Sequence, residues 1–426
     1  MRADPIRPRA VRSGQDSPDI GFDQPALSGR LCAGGRAGER PARHQADGPE
    51  EQRHIRQSDQ VSGRDQRSTA PIHFVKGRGA GSNATSRFDA WTREPVEAED
   101  QADDGCVEVS SPKTTLTAQH ARSIISRNDS PDIPFDQSIN PFLGCEHGCV
   151  YCYARPTHAY LGLSPGLDFE TKIFAKVNAA ELLRSELGKQ SYVPSLIALG
   201  ANTDPYQPAE RRLAITRSVL EVLSECNLPV GITTKSALVT RDIDILRAMA
   251  SKDLVRVFMS IGTLDHDLAR KLEPRANSPT RRIEAIQALS EAGIPVGVFT
   301  SPLIPAINDR EMEKVLAVAA QAGARYAGYV VLRLPLEVRD LFVEWLEQHF
   351  PLRAKHVMSL VQQMRQGRDY NSTFGTRMKG TGVYSDVIAQ RFKVACARLG
   401  LNTERAGMTT QLFRPPSASP AQAELF

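Results

Sequence analysis

From about Phe169 onward, short runs of apolar and β-branched residues alternate with stretches whose apolar positions recur every three to four residues. The runs cover 169–176, 195–200, 230–234, 255–261, 296–300 and 326–332, and the helical stretches 179–187, 209–225, 241–250, 280–292 and 310–321. Several helices carry matching punctuation: Pro208 near a start, Ser278-Pro279 before Thr280, and Gly293 and Gly323 just after ends. A strand that is apolar almost throughout is buried on both faces, so this alternation specifies an α/β chain of parallel strands covered by helices. Six or seven such units fit an open partial (β/α) barrel, and an open doubly wound sheet satisfies the same pattern. In both, ligands sit at the C-terminal ends of the strands. After Pro335 the pattern turns mainly helical, with a Gly-rich interruption at 375–382.

The first 70 residues follow no such rhythm. They hold 12 Arg, no Lys, 10 acidic residues and nine large apolar side chains. So few core-forming groups cannot offset the entropy of ordering the chain, and residues 1–75 are expected to be a disordered, Arg-rich tail. The nonapeptide DSPDIGFDQ at 16–24 echoes DSPDIPFDQ at 129–137 with one difference, without the cysteines that follow the second copy. A partial duplication or a mis-assigned start accounts for the echo; a second site would need the full unit.

Residues 71–426 hold 41 basic and 39 acidic side chains, so net charge argues for neither a nucleic-acid nor a membrane partner. No run of about 18 apolar residues is present, and the N-terminus lacks the apolar stretch of a secretory signal. The expectation is a cytoplasmic protein whose seven cysteines are not a disulfide framework.

Three of those cysteines fall within eight residues of SINPFLGCEHGCVYCYARPTHAY, at 138–160. Cys145, Cys149 and Cys152 are spaced C-x3-C-x2-C, with Tyr151 just before the last. Chance alone would place such a triple in about 2 of 1,000 chains of this composition. A cubane iron–sulfur cluster needs one ligand per iron, so three thiolates leave one iron open to a small molecule. Gly144 and Gly148 permit φ > 0 turns around the sulfurs. The competing reading is a zinc site completed by His147 or His158, but zinc sites pair one C-x2–4-C unit with a second some distance away, and no second unit follows.

C-x3-C-x2-C with an aromatic before the third cysteine resembles the hallmark of the radical S-adenosylmethionine superfamily. The longer strings CEHGCVYCYARPTHAYLGLSPGLDFETKIFAK, GANTDPYQPAE, LEPRANSPTRRIEAI and RGAGSNATSRF are similar to the spore photoproduct lyase-like branch, often labelled DNA repair photolyase. The resemblance runs from about Gly77 to Leu412. It implies a partial (β/α)6 TIM-like barrel at 134–333, with an N-terminal extension at 76–133 and a helical C-terminal extension at 334–412; the residues beyond the resemblance, 413–426, are expected to be a disordered tail. It also implies a [4Fe–4S] cluster on Cys145, Cys149 and Cys152, S-adenosylmethionine as second cofactor, and an electron donor such as flavodoxin or ferredoxin.

By the same resemblance, Tyr151 and Tyr153 would meet the adenine side of the cofactor. Asn202, Thr203 and Asp204 would meet its methionyl end, although an Asx turn capping the next helix explains these residues as well. Lys235 and Ser260 end successive strands, where a carboxylate and a ribose would be met; Lys235 is similar to a cofactor-contacting lysine of the family. Glu273 and Arg275 are expected to pair and hold their loop. His147 and His158 are read as structural hydrogen-bonding groups rather than acids or bases, and Tyr206 as a packed aromatic rather than a radical relay.

One departure limits the transfer. Spore photoproduct lyase returns a hydrogen atom from a cysteine near its second barrel strand. Here that region reads GANTDPY, and the nearest other cysteine, Cys226, ends the next helix. No catalytic residue is therefore singled out. Three functions remain: a radical enzyme acting on a nucleic acid or nucleotide, with Arg211-Arg212, Arg281-Arg282 and Lys252 as phosphate contacts or simply solvated faces; one acting on a protein, peptide or metabolite; and a non-catalytic iron–sulfur module that senses redox state or binds nucleic acid.

Overall fold

The computed structural model describes residues 75–89, 112–403 and 407–416. The chain divides into two units, 1–69 and 70–426, and all described residues lie in the second. Of the expected tails at 1–75 and 413–426, residues 1–74 and 417–426 fall outside the described residues. Val75 is buried, and Phe413 is not part of a loose tail, because its ring packs on the core 5.5 Å from that of Tyr192.

Among the described residues ten strands form two sheets. The larger contains β2 (Ile125–Arg127), β3 (Gln137–Ile139), β6 (Ile197–Leu199), β7 (Val230–Thr234), β8 (Val255–Ser260), β9 (Val296–Leu303) and β10 (Tyr326–Val331). Its order is β10-β9-β8-β7-β6-β3-β2, with six parallel strands from β3 to β10 and β2 antiparallel on the outer edge of β3. This is the partial (β/α)6 barrel. The smaller sheet places β5 (Lys172–Lys176) between β1 (Thr115–Gln119), parallel to it, and β4 (Phe142–Leu143), antiparallel.

The helices between parallel strands are α1 (Leu167–Thr171), α2 (Ala179–Leu187), α3 (Glu210–Leu213), α4 (Ile215–Glu225), α5 (Ile243–Ala250), α6 (His266–Leu272), α7 (Pro279–Glu291) and α8 (Met312–Gln321). Beyond β10 come α9 (Val338–His349), α10 (Ala354–Gln363) and α11 (Val383–Leu399), as the pattern after Pro335 requires. The core is the β-branched interior of the strands, including Ile197, Val230, Ile232, Val255, Val257, Val296 and Val298, against helix residues such as Val219, Leu220, Leu223, Leu289 and Val315. Among the described residues no helix is long and apolar enough to cross a membrane.

Two expectations need correcting. The run 169–176 is not a barrel strand: its first half is the end of α1, and its second half is β5, in the smaller sheet. The first barrel strand is β3, whose three residues QSI are too few and too polar to show a period. β3 delivers the chain directly into the cysteine segment, which therefore starts at a strand C-terminal end. The second correction is in 209–225, which breaks at Ala214, held at φ +51°, into α3 and α4. The Glu210 carboxylate accepts the N–H groups of Thr216 at 2.9 Å and Arg217 at 3.3 Å, satisfying donors at the new helix start.

A left-handed conformation costs an L-residue about 1–2 kcal/mol and glycine nothing, against about 0.5–1 kcal/mol of extra chain entropy for glycine. Ala214→Gly should therefore raise unfolding stability in urea by about 0.5–1 kcal/mol. Ala248→Gly, on the exposed face of α5, should lower it by about the same amount.

Candidate active site at the barrel mouth

The chain leaves β3 and β4 through Gly144, at φ +79°, where a Cβ would sit 2.9 Å from the Phe169 carbonyl oxygen. Gly148, at φ +68°, makes the second turn. Between and after them the loop is pinned by its backbone. The Cys145 N–H donates to Phe169 O at 3.0 Å, the Val150 N–H to Leu272 O at 3.2 Å, and the Cys152 N–H to Cys149 O at 3.2 Å. The Gln207 side chain accepts from the Glu146 N–H at 2.9 Å and donates to Gly144 O at 3.1 Å. Cys145 and Cys149 are buried and Cys152 half-buried; all three are free thiols.

Under this loop lies a fully buried ion pair, Arg155 with Glu170, at 2.5 Å. The Arg155 guanidinium also donates to Cys149 O at 2.9 Å, Pro165 O at 3.1 Å and Gly166 O at 3.0 Å. Glu170 accepts the N–H groups of Gly79 at 3.0 Å and Ala80 at 2.9 Å, which brings the N-terminal segment 75–89 onto the loop. Sequence reasoning missed Arg155, Glu170 and Gln207 as supports of the loop. Their only signal was membership of the family-like strings.

Above the loop the charges converge. Glu273 accepts from the Tyr151 hydroxyl and pairs with Arg282, both closely. The expected partner Arg275 instead pairs with Glu146 at 3.1 Å. Burial would raise the Glu273 pKa, but Arg282 and Lys235 hold it below the usual carboxylate range. Burial likewise opposes charge on Lys235, yet Cys149, Glu273 and Asp204 raise its pKa. The Lys235 ammonium lies 6.0 Å from the centre of the Tyr151 ring. Burial pushes the Cys149 thiol up to about 12, with Lys235 and Arg282 pulling the other way. Cys145 is raised by burial first, then by Asp204 and the other two thiols.

Both oxygens of Asp204 are in use. Oδ1 accepts from the Thr234 hydroxyl at 2.7 Å and the Tyr206 N–H at 2.9 Å; Oδ2 accepts from the Lys235 N–H at 2.7 Å and lies 3.3 Å from His147 Nδ1. Against burial, His147, Thr234 and the Lys235 N–H hold its pKa at about 2. The bond to Tyr206 is the Asx turn, extended here to tie β6 to β7, and the Asp204 N–H reaches the Cys145 thiol. Thr203 donates to Phe142 O at 2.8 Å, the Asn202 N–H donates to Asn140 Oδ1 at 2.9 Å, and the Ser260 hydroxyl to Ser301 O at 3.3 Å. Tyr153 donates closely to Ala201 O, with its ring partly exposed under the Arg333 guanidinium.

The remaining residues fall away from the mouth or into structure. His158 is buried, 3.0 Å from Lys172 O, and burial lowers its pKa. Tyr206 is fully buried and donates to Asp242 at 3.1 Å. Arg282 is a buried partner of Glu273 rather than a surface contact, whereas Arg281 is exposed with Glu284. Arg211 and Arg212 are exposed, and Arg211 borders a cavity of about 250 Å³ with His147 and Arg275. Cys226 is buried at the end of α4, just before β7 starts and so at the opposite end of the barrel from the cysteine loop. Lys252 is exposed, just before β8 starts and so at that same far end.

Among the described residues, no group of three His, Cys, Asp or Glu side chains converges to hold a single metal ion. Three thiolates that each serve a different iron of a cubane need no such convergence. The donor set on this loop, three thiols within electrostatic reach of one another with Lys235 acting on Cys149, fits a cluster with one open iron.

Residues 139–319 match the family model described as the Radical SAM superfamily. Over those residues the chain is similar to that superfamily. Its relatives include an uncharacterised protein of Mycobacterium tuberculosis (strain ATCC 25618 / H37Rv), 36% identical over 221 residues, or 51% of this chain and 65% of that protein. A protein of Methanocaldococcus jannaschii is 28% identical over 213 residues, covering 50% of this chain and 76% of the relative. The chain thus spans 65% of the length of the mycobacterial relative it matches. Among solved structures, spore photoproduct lyase complexed with dinucleoside spore photoproduct aligns with a TM-score of 0.50 and 15% identity, over 67% of this chain and 80% of that one. That likeness is one of fold.

Removing one partner of a buried ion pair leaves the other uncompensated, at a cost of about 3–5 kcal/mol. Arg155→Met should lower urea-unfolding stability by about that much. Arg281→Met, which breaks an exposed pair, should change it by no more than about 0.5 kcal/mol.

Proposed function

We propose that this protein is a radical S-adenosylmethionine enzyme whose [4Fe–4S] cluster is held by Cys145, Cys149 and Cys152. The reading is carried by one observation: the loop delivers three free, mostly buried thiols together at the C-terminal mouth of a partial barrel. With both cofactors bound, one-electron reduction of the cluster would split S-adenosylmethionine into methionine and a 5′-deoxyadenosyl radical.

The chain's own residues supply orientation, charge and dryness. Arg155 and Glu170 fix the loop from below, and Gln207 and Asp204 from the side. Tyr151 is locked by Glu273, and Tyr153 by Ala201, so the two aromatics flanking Cys152 present fixed faces to an adenine. Lys235 brings a permanent positive charge beside Cys149, suited to a carboxylate. Asn202 presents a side-chain amide at the end of β6, while Asp204 and Ser260 serve by holding strand ends in place. We assign the cofactors to residues 134–333 and a covering role to 334–412. The electron donor is taken as a flavodoxin or ferredoxin, in a reducing compartment such as the cytosol. The substrate is left open between nucleic acid and smaller molecules.

The test is anaerobic reconstitution, reduction with dithionite, addition of S-adenosylmethionine and chromatography for 5′-deoxyadenosine. Wild type should accumulate 5′-deoxyadenosine, and Cys149→Ala should stay at the background of protein-free controls. A wild-type protein that binds four irons yet releases none would overturn the enzyme reading in favour of a redox-sensing module. A protein that takes up zinc and no iron would overturn the cluster.

A further inference from the structure

Arg333 follows β10, the last barrel strand, and reaches back over the mouth. Its guanidinium carbon lies 5.1 Å from the centre of the Tyr153 ring, next to Cys152. Stacking of this kind fixes the plane of a guanidinium and leaves its N–H edge free to bond. Its bonds within the protein are weak and neutral: to Met378 Sδ at 3.5 Å and to the Tyr370 hydroxyl at 3.4 Å. Its Nε is buried and unpartnered. Among the described residues no carboxylate pairs with it.

The neighbouring Arg365 is in the same position. It is buried and donates to four carbonyls, of Val331, Leu332, Thr376 and Arg377, with no acid among its hydrogen-bond partners. Burial, and next the charge of Arg333, lower its pKa to about 10. The other cations of the site are matched: Arg282 and Lys235 by Glu273, Arg275 by Glu146, and Arg377 by Asp132. Two guanidinium groups without an acid, one of them half-buried beside a partly exposed Tyr153, form a positive concentration that a bound anion would relieve.

We propose that Arg333 is the anchor for an oxyanion, a phosphate or carboxylate, carried by the substrate. The forked N–H edge matches the two oxygens of either group. Tyr153 sets its angle, and the strand end places the anion at the rim of the mouth beside the cysteine loop. The inference rests on the reading of this mouth as a radical S-adenosylmethionine site, but its test does not require turnover.

The reconstituted holoenzyme would be titrated calorimetrically at low ionic strength with pyrophosphate and, separately, with succinate. One of them should bind at one site per chain, and which one does identifies the oxyanion. Arg333→Gln should weaken that binding about tenfold or more, and Arg333→Lys should keep part of it. Thermal unfolding of the ligand-free Arg333→Gln protein should stay within about 1–2 °C of wild type or rise, because the arginine holds no acid in place. Three results would overturn the proposal: binding that Arg333→Gln leaves unchanged or that wild type lacks, a fall of more than about 4 °C in the variant, and displacement of the anion by S-adenosylmethionine, which would give Arg333 to the cofactor. Failure to form 5′-deoxyadenosine would instead count against the cofactor reading.

Discussion

Arg155 and Glu170 meet where no water reaches either of them, so the charge of each must be answered from within the protein. Desolvating such a pair costs more than its attraction returns unless the leftover donors and acceptors are also met. Here they are met by parts of the chain far apart in sequence. Arg155 takes the carbonyls of Cys149, Pro165 and Gly166, and Glu170 takes the N–H groups of Gly79 and Ala80. The cysteine loop, the start of α1 and the N-terminal segment are therefore folded around one ion pair. A different loop path would strand at least one of these groups. The pair selects a single geometry for the thiols more than it adds stability.

The barrel was legible because its signal is cumulative. β7 to β10 are five to eight residues each and mostly apolar or β-branched, so their pattern survives any one exception. β3 carries no such redundancy: three residues, two of them polar, owe their extended form to β2 and β6 on either side. The same holds for Ala214, an ordinary helix former forced to φ +51° because the chain must turn between α3 and α4. Local propensity cannot report a constraint imposed from elsewhere in the fold.

At the mouth, residue types were readable and partners were not. Glu273 and Arg275, two apart, looked like a loop-closing pair. The structure gives Glu273 to Arg282, on the first turns of α7, and Arg275 to Glu146 of the cysteine loop. Each choice follows from depth. Arg282 is buried and needs a buried acid, whereas Arg275 is partly exposed and settles on one nearer the surface. Arg155, Glu170 and Arg333 escaped notice for a related reason: an ion pair, or the lack of one, becomes visible only when distant segments are brought together.

Tyr153 then has a place beyond the cofactor contact proposed for it. Its hydroxyl is bonded to Ala201, just past the second of the six parallel strands, and its ring lies under Arg333, just past the last. A partial barrel is open between its first and last strands, so nothing in the sheet itself fixes the separation of those two ends. The Tyr153 side chain, joined through one peptide bond to Cys152, bridges the ends of the second and the last of these strands beside the cysteine loop. The open side of the barrel is thereby tied to the part of the molecule where positions must be held most closely.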